Sequence, residues 1–83
     1  MEYTVYAIKS LKGPRIYVGF SSNVPRRLKE HNLGHVFSTK GYRPWILIYT
    51  VDCGNDRLKA RQTEKYLKSG TGKEFLKRLT IPE

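Results

Sequence analysis

The chain has 83 residues, with 16 lysines and arginines against 7 acids, for a net charge of +9. A chain this short makes one domain, residues 1–83, and buries only ~60% of its unfolded surface, so its core is small. A hydrophobic fraction of 39%, with 12% aromatic residues, argues against disorder, and the charge points to a polyanion, nucleic acid ahead of an anionic membrane.

The longest apolar run, Trp45 to Tyr49, falls far short of the ~20 residues that a spanning helix needs. The start, MEYTVY, has neither the basic opening nor the apolar stretch of a secretory leader. The single cysteine, Cys53, excludes an internal disulfide and a Cys-rich zinc site and reads as an incidental loop residue. A reducing cytoplasm is the expected location.

Residues 3–8 (YTVYAI) are β-branched and aromatic, as a strand requires. The turn KSLKGP separates them from a second strand, residues 15–20 (RIYVGF), so the pair is expected to form an antiparallel hairpin. Alternation puts Thr4, Tyr6 and Ile8 on one face of the first strand, and Arg15, Tyr17 and Gly19 on one face of the second. A register pairing Tyr6 with Tyr17 is one possibility.

Ser21, Ser22 and Asn23 are N-cap candidates for a helix from about Val24 to about Leu33, with Pro25 in its first turn and Gly34 as its stop. On it, Val24 and Leu28 should face the sheet, and Arg27 and His31 share another face, four apart. Residues 34–44 form a long loop carrying His35, Thr39, Lys40, Tyr42 and Arg43, and long loops often bind. Residues 45–51 (WILIYTV) read as a third strand, expected to be the most buried.

Asn55 or Asp56 should cap a second helix from about Arg57 to Lys68, with Ala60, Thr63, Tyr66 and Leu67 on its buried side. After SGTG, Thr71 with Glu74 is a capping-box pattern that opens a third helix carrying Phe75, Leu76 and Leu79. The tail from Thr80 is expected to be loose. The order β-β-α-β-α-α makes a small α+β sheet domain.

Several of these residues suit phosphate chemistry, each with an ordinary structural reading beside it. Arg27 can grip two phosphate oxygens, or belong with Arg26 and Lys29 to a solvated basic face. His31 can relay a proton near neutral pH, or simply pack. Tyr6 and Tyr17 can offer hydroxyls to water or phosphate, though tyrosine is common in hairpins. Gly19 permits close backbone approach. Glu64 can hold a hard divalent metal, or pair with Lys68 four residues on. No Walker loop, zinc pattern, GxSxG elbow or dinucleotide GxGxxG occurs.

Taken in order, these residues resemble the GIY-YIG nuclease superfamily. Its first motif is matched by Thr4-Val5-Tyr6 and its second by Tyr17-Val18-Gly19; its helix arginine falls on Arg27, its histidine on His31 and its metal-binding glutamate on Glu64. The flanking text RRLKEHN, TKGYRPW and EKYLKSGTGKEFL looks like the short stand-alone bacterial members, related to the N-terminal nuclease domain of the bacterial excinuclease. Thr4, Val5 and Val18 depart from the motifs, and no asparagine follows Asn55, where many catalytic members carry one.

The resemblance implies a three-stranded antiparallel sheet flanked by helices, and hydrolysis of a DNA phosphodiester with one Mg²⁺ or Mn²⁺. Glu64 would hold the metal, Tyr6 would take a proton from water with help from His31, and Arg27 and Tyr17 would hold the phosphate. Arg26, Lys40, Arg43 and Lys68 are the cations expected to contact nucleic acid. The leading reading is a structure-directed or repair-related DNA endonuclease, with a protein partner as one source of specificity. The alternatives are a nucleic-acid-binding module of the same fold with weak or no activity, and a protein scaffold, which the charge of +9 disfavours.

Overall fold

The computed structural model describes residues 1–80. Strands β1 (Thr4–Ser10) and β2 (Ile16–Ser21) form a hairpin; helix α1 (Val24–Leu33), a 3-10 turn at Lys40–Tyr42, strand β3 (Trp45–Asp52) and helices α2 (Arg57–Lys68) and α3 (Gly70–Arg78) follow. The order is the β-β-α-β-α-α that the sequence implies. The sheet is antiparallel throughout, in the spatial order β2-β1-β3. Among the described residues no helix is long and apolar enough to cross a membrane.

The central strand explains the burial. The stretch Val5–Ile8 is buried on both sides because helices cover both faces. Tyr6 and Ile8 pack with Val24, Trp45 and Leu28 on the α1 face. Val5 and Ala7 pack with Val18, Ala60, Leu67 and Leu76 on the α2–α3 face. Thus the most buried strand is β1 and not β3, where Ile46 and Leu47 are 42% and 43% exposed. β3 lies at an edge, so its apolar text WILIYTV is only half covered. The register along β1 slips between Ala7 and Ile8, which face Tyr49 and Leu47, so Ile48 bulges out.

Local chemistry sets the helix ends. The side chain of Asn23 accepts the Arg26 N–H at 3.1 Å, and Pro25 occupies the first turn. Gly34 closes α1 with φ of +82°, its N–H bonded to the carbonyls of Glu30 and His31. Asp56 caps α2 by accepting the Lys59 N–H at 3.0 Å.

The third helix starts before the expected Thr71. Ser69 caps it, accepting the Gly72 N–H at 3.3 Å while donating its own hydroxyl to the Tyr66 carbonyl at 2.5 Å. One serine thereby serves the end of α2 and the start of α3. Gly72 makes the tight turn possible, because a Cβ there would run into the Tyr66 carbonyl and the Leu67 backbone.

On the expected buried side of α2, Ala60 and Leu67 are in the core, whereas Tyr66 is exposed. On α3 only Leu76 of the three apolar residues is fully buried; Phe75 meets Tyr49 edge-on, with ring centres 5.0 Å apart, and Leu79 is exposed. Cys53 lies in the loop after β3 as expected, but it is 4% exposed and packs into the core. The loose tail expected from Thr80 falls, for residues 81–83, outside the described residues.

Candidate active site

The register of the hairpin builds the site. Tyr6 lies opposite Gly19, and Tyr17 lies opposite Ile8, so the two tyrosines are diagonal neighbours and do not form a direct cross-strand pair. Their rings are 6.3 Å apart, and both meet His31 edge-on, at 5.8 Å from Tyr6 and 4.9 Å from Tyr17. Gly19 makes room for this packing. A Cβ there would lie 2.9 Å from the Tyr6 hydroxyl oxygen and 3.2 Å from Cε1 of Tyr17.

His31 is fully buried yet has a partner on each ring nitrogen. Nδ1 lies 2.8 Å from Oγ1 of Thr39, and Nε2 lies 2.8 Å from the Tyr6 hydroxyl. Thr39 gives its own hydroxyl proton to the Val36 carbonyl at 3.3 Å. Its oxygen is then an acceptor for a proton on Nδ1. Nε2 is left with its lone pair, and the Tyr6 hydroxyl donates to it.

Thr39 itself is 1% exposed and held from behind, because Nε1 of Trp45 donates to its carbonyl at 2.9 Å. Asn32, one residue after His31, clamps Trp45 in turn. It accepts the Trp45 N–H at 2.7 Å and donates to the Trp45 carbonyl at 3.0 Å.

The electrostatics follow from burial and from one neighbouring cation. Burial, then the adjacent Tyr17, push the Tyr6 hydroxyl up to about 12, against the pull of Arg27; the charge of Glu64 adds a small push in the same direction. Burial first, then the charge of Arg27, lower the pKa of His31, and Glu30 opposes them weakly. At neutral pH the pair is therefore a neutral phenol donating to a neutral imidazole. Burial works against the charge on Arg27, but its hydrogen bonds to Glu30 and Tyr6 outweigh that and raise its pKa. Its Nη1 sits 3.2 Å from Oε1 of Glu30.

Tyr6, Tyr17, Arg27 and His31 thus come together on the α1 face. Glu64 reaches them only through its charge at Tyr6. It sits half-buried on α2 with a loose ion pair to Lys68 at 3.7 Å. No group of three or more His, Cys, Asp or Glu side chains clusters to hold a metal among the described residues.

The four cations expected at nucleic acid divide. Arg26 projects into solvent, its side chain 76% exposed and 3.9 Å from Glu30. Lys40 stands over the Phe37 ring. Arg43 is engaged in the loop, its Nε donating to the Lys40 carbonyl at 2.7 Å and its guanidinium covering Gly34. Lys68 is the partner of Glu64. Sequence reasoning named Thr39 only as a residue of the long loop and missed Asn32 and Trp45, since nothing local ties a threonine eight residues beyond His31 to its ring.

Residues 2–78 match the model of the GIY-YIG catalytic domain. The chain belongs to the GIY-YIG family. This GIY-YIG domain is 38% identical over 72 residues to the structure-specific endonuclease subunit SLX1 of Candida dubliniensis, an alignment covering 78% of this chain and 25% of that protein. It is 39% identical over 56 residues to the SLX1 subunit of Debaryomyces hansenii, covering 59% and 16%. The chain therefore spans a quarter or less of the length of these curated relatives. The solution structure of the UPF0213 protein BH0048 from Bacillus halodurans superposes with a TM-score of 0.56 at 30% identity, over 95% of this chain and 85% of that one.

Proposed function

We propose that this chain acts as one GIY-YIG nuclease domain: a metal-dependent endonuclease that hydrolyses DNA phosphodiesters in branched or otherwise non-duplex contexts. The observation that carries it is the buried line of hydrogen bonds from the Tyr6 hydroxyl through His31 to Thr39. A phenol raised to about 12 is a poor base alone. Coupled to a neutral imidazole it works as a relay. Tyr6 accepts a proton from the attacking water as its own proton passes to Nε2 of His31, and the imidazolium goes on donating its Nδ1 proton to Thr39. The new bond forms between the water oxygen and phosphorus, and the bond to the 3′ oxygen breaks.

Arg27 and Tyr17 border the same hydroxyl and would hold the phosphate, Arg27 through a charged fork matched to its oxygens. Glu64 suits one divalent ion: it is half-buried, its contact with Lys68 is long, and a single carboxylate leaves room for waters and phosphate oxygens, as Mg²⁺ or Mn²⁺ prefers. Such an ion, when bound, supplies positive charge that stabilises the leaving oxygen.

Arg26, Lys40 and Lys68 add affinity that does not depend on sequence and weakens with salt. Both curated relatives are named as structure-specific endonuclease subunits, which supports a structured DNA substrate and a protein partner that supplies selectivity.

The lack of an asparagine beyond Asn55 favours a second reading, a DNA-binding module without turnover. One experiment decides between the two. The purified chain is incubated with branched, nicked and single-stranded DNA and Mn²⁺, beside Glu64→Gln and Arg27→Ala. The proposal expects cleavage by wild type alone; identical products from wild type and Glu64→Gln would end it.

A further inference from the structure

The loop between α1 and β3 is held along its length. The backbone N–H groups of Thr39 and Lys40 both donate to the Val36 carbonyl, at 3.1 and 3.0 Å. Thr39 is fixed by His31 and Trp45, and Arg43 is fixed on the Lys40 carbonyl. On this held turn Phe37 is 85% exposed, more than any other large hydrophobic side chain among the described residues. It joins neither core cluster. Nζ of Lys40 stands 5.1 Å above the ring.

Isolated apolar residues are ordinary on protein surfaces. This one is a flat ring on a turn tied to the core, two residues along the chain from the Thr39 that bonds His31, with a cation over one face. We propose that Phe37 is a stacking platform for an unpaired nucleobase, so that the site favours DNA with a displaced or single-stranded segment beside the scissile phosphate. This deepens the nuclease reading and rests on it for the role of the neighbouring site.

The chemistry selects that occupant. In a duplex the base faces are covered by their neighbours, so an exposed ring has nothing to stack on. A displaced base presents a free face, and stacking on an aromatic side chain tolerates any base. The open face of Phe37 takes the base, while Lys40 on the other side lies in reach of the adjoining phosphate. A protein ligand would need an apolar groove, whereas a lone ring under a lysine in a chain of charge +9 complements a polyanion.

The test measures binding without metal, in a chelating buffer, so that it is independent of turnover. The probes are a flapped duplex, with 2-aminopurine in its single-stranded arm, and a fully paired duplex of equal length. Wild type should quench the 2-aminopurine and prefer the flapped probe. Phe37→Ala and Phe37→Leu should lose the quenching and weaken flapped binding by about tenfold, with duplex binding unmoved; Phe37→Trp should retain both signals. Phe37 lies outside the core, so these variants fold.

An unchanged flapped-to-duplex ratio in Phe37→Ala overturns the proposal, and so does Phe37→Leu behaving as wild type. Cleavage with Mn²⁺ is scored separately. An active wild-type nuclease that gives no stacking signal sinks this inference alone. A stacking signal with no turnover sinks the nuclease reading alone.

Discussion

The Tyr6 hydroxyl oxygen lies 2.8 Å from Nε2 of His31, and the proton between them can move in only one useful direction. In the tautomer that the relay uses, with Thr39 donating to Val36 and accepting from Nδ1, the imidazole gains a proton only at Nε2. Activity therefore requires His31 to be neutral, and its pKa lies below the ordinary 6.5 because of burial and Arg27. The cleavage rate should rise with pH on an acid limb below 6.5 and then stay level through the alkaline range, since Tyr6 titrates only at about 12. Single-turnover rates with Mn²⁺ across this range check the profile; a rising limb near pH 10 would mean that tyrosinate is the base and that the relay is wrong. Stability moves in the same direction in acid. The unfolded histidine binds its proton first, so what neutral His31 contributes is complete above about 6.5 and is lost as pH falls through its folded value.

Thr39 should act through the tautomer. Thr39→Val leaves the Nδ1 proton without an acceptor, a cost of about 1–3 kcal/mol for a buried polar group, and frees the ring to place its proton on Nε2, facing Tyr6. The turnover rate should fall by about 10²-fold or more, as for loss of base catalysis, while KM moves little. Thr39→Ser restores the acceptor and should recover the rate. Nitrogen chemical shifts of the His31 ring report the tautomer directly. If Thr39→Val keeps the proton on Nδ1, the threonine only packs.

Gly19→Ala tests the fit of the two tyrosines. The added methyl would sit 2.9 Å from the Tyr6 oxygen and 3.1 Å from its Cζ. The ring is buried and tied to His31, so it cannot yield without breaking the 2.8 Å bond. A destabilisation of about 1–3 kcal/mol is expected from overpacking, with a larger proportional loss of cleavage. Thermal melting beside cleavage rates checks this; full activity in Gly19→Ala would show that the hairpin register tolerates a Cβ there.

What could be read from the sequence had a local cause. Both ends of α1 and the start of α2 follow from Asn23, Gly34 and Asp56, residues whose side chain or backbone freedom satisfies the orphan groups at helix termini. The shared face of Arg27 and His31 follows from helical periodicity alone. Strand order does not. WILIYTV looks more buried than TVYAI by composition, yet it lies at an edge, because burial depends on which strand the other two pair with. The start of α3 misled for a related reason: Ser69 and Thr71 are both good caps, and the packing of Gly72 against the end of α2 selects the first. Thr39 could be placed in the long loop but not against His31, since their meeting is made by a loop that Trp45 and Asn32 hold in place.

Glu64→Gln should separate metal binding from folding. Among the described residues the Glu64 carboxylate has a loose contact, 3.7 Å to Lys68, whose side chain is 51% exposed. Exposed helix pairs of this spacing contribute only ~0.3–0.5 kcal/mol, so the melting temperature without metal should barely move. The amide keeps the shape and removes the charge that a hard cation needs. Mn²⁺ should therefore raise the melting temperature of the wild-type chain in complex with an uncleavable DNA, by mass action on the native state, and fail to raise that of Glu64→Gln. Paramagnetic broadening of the Tyr6 and Tyr17 ring signals by Mn²⁺ gives a second, structural reading of the same event, and it too should vanish in the variant. Equal Mn²⁺ effects in both proteins would place the ion elsewhere, and would leave Glu64 as the helix partner of Lys68.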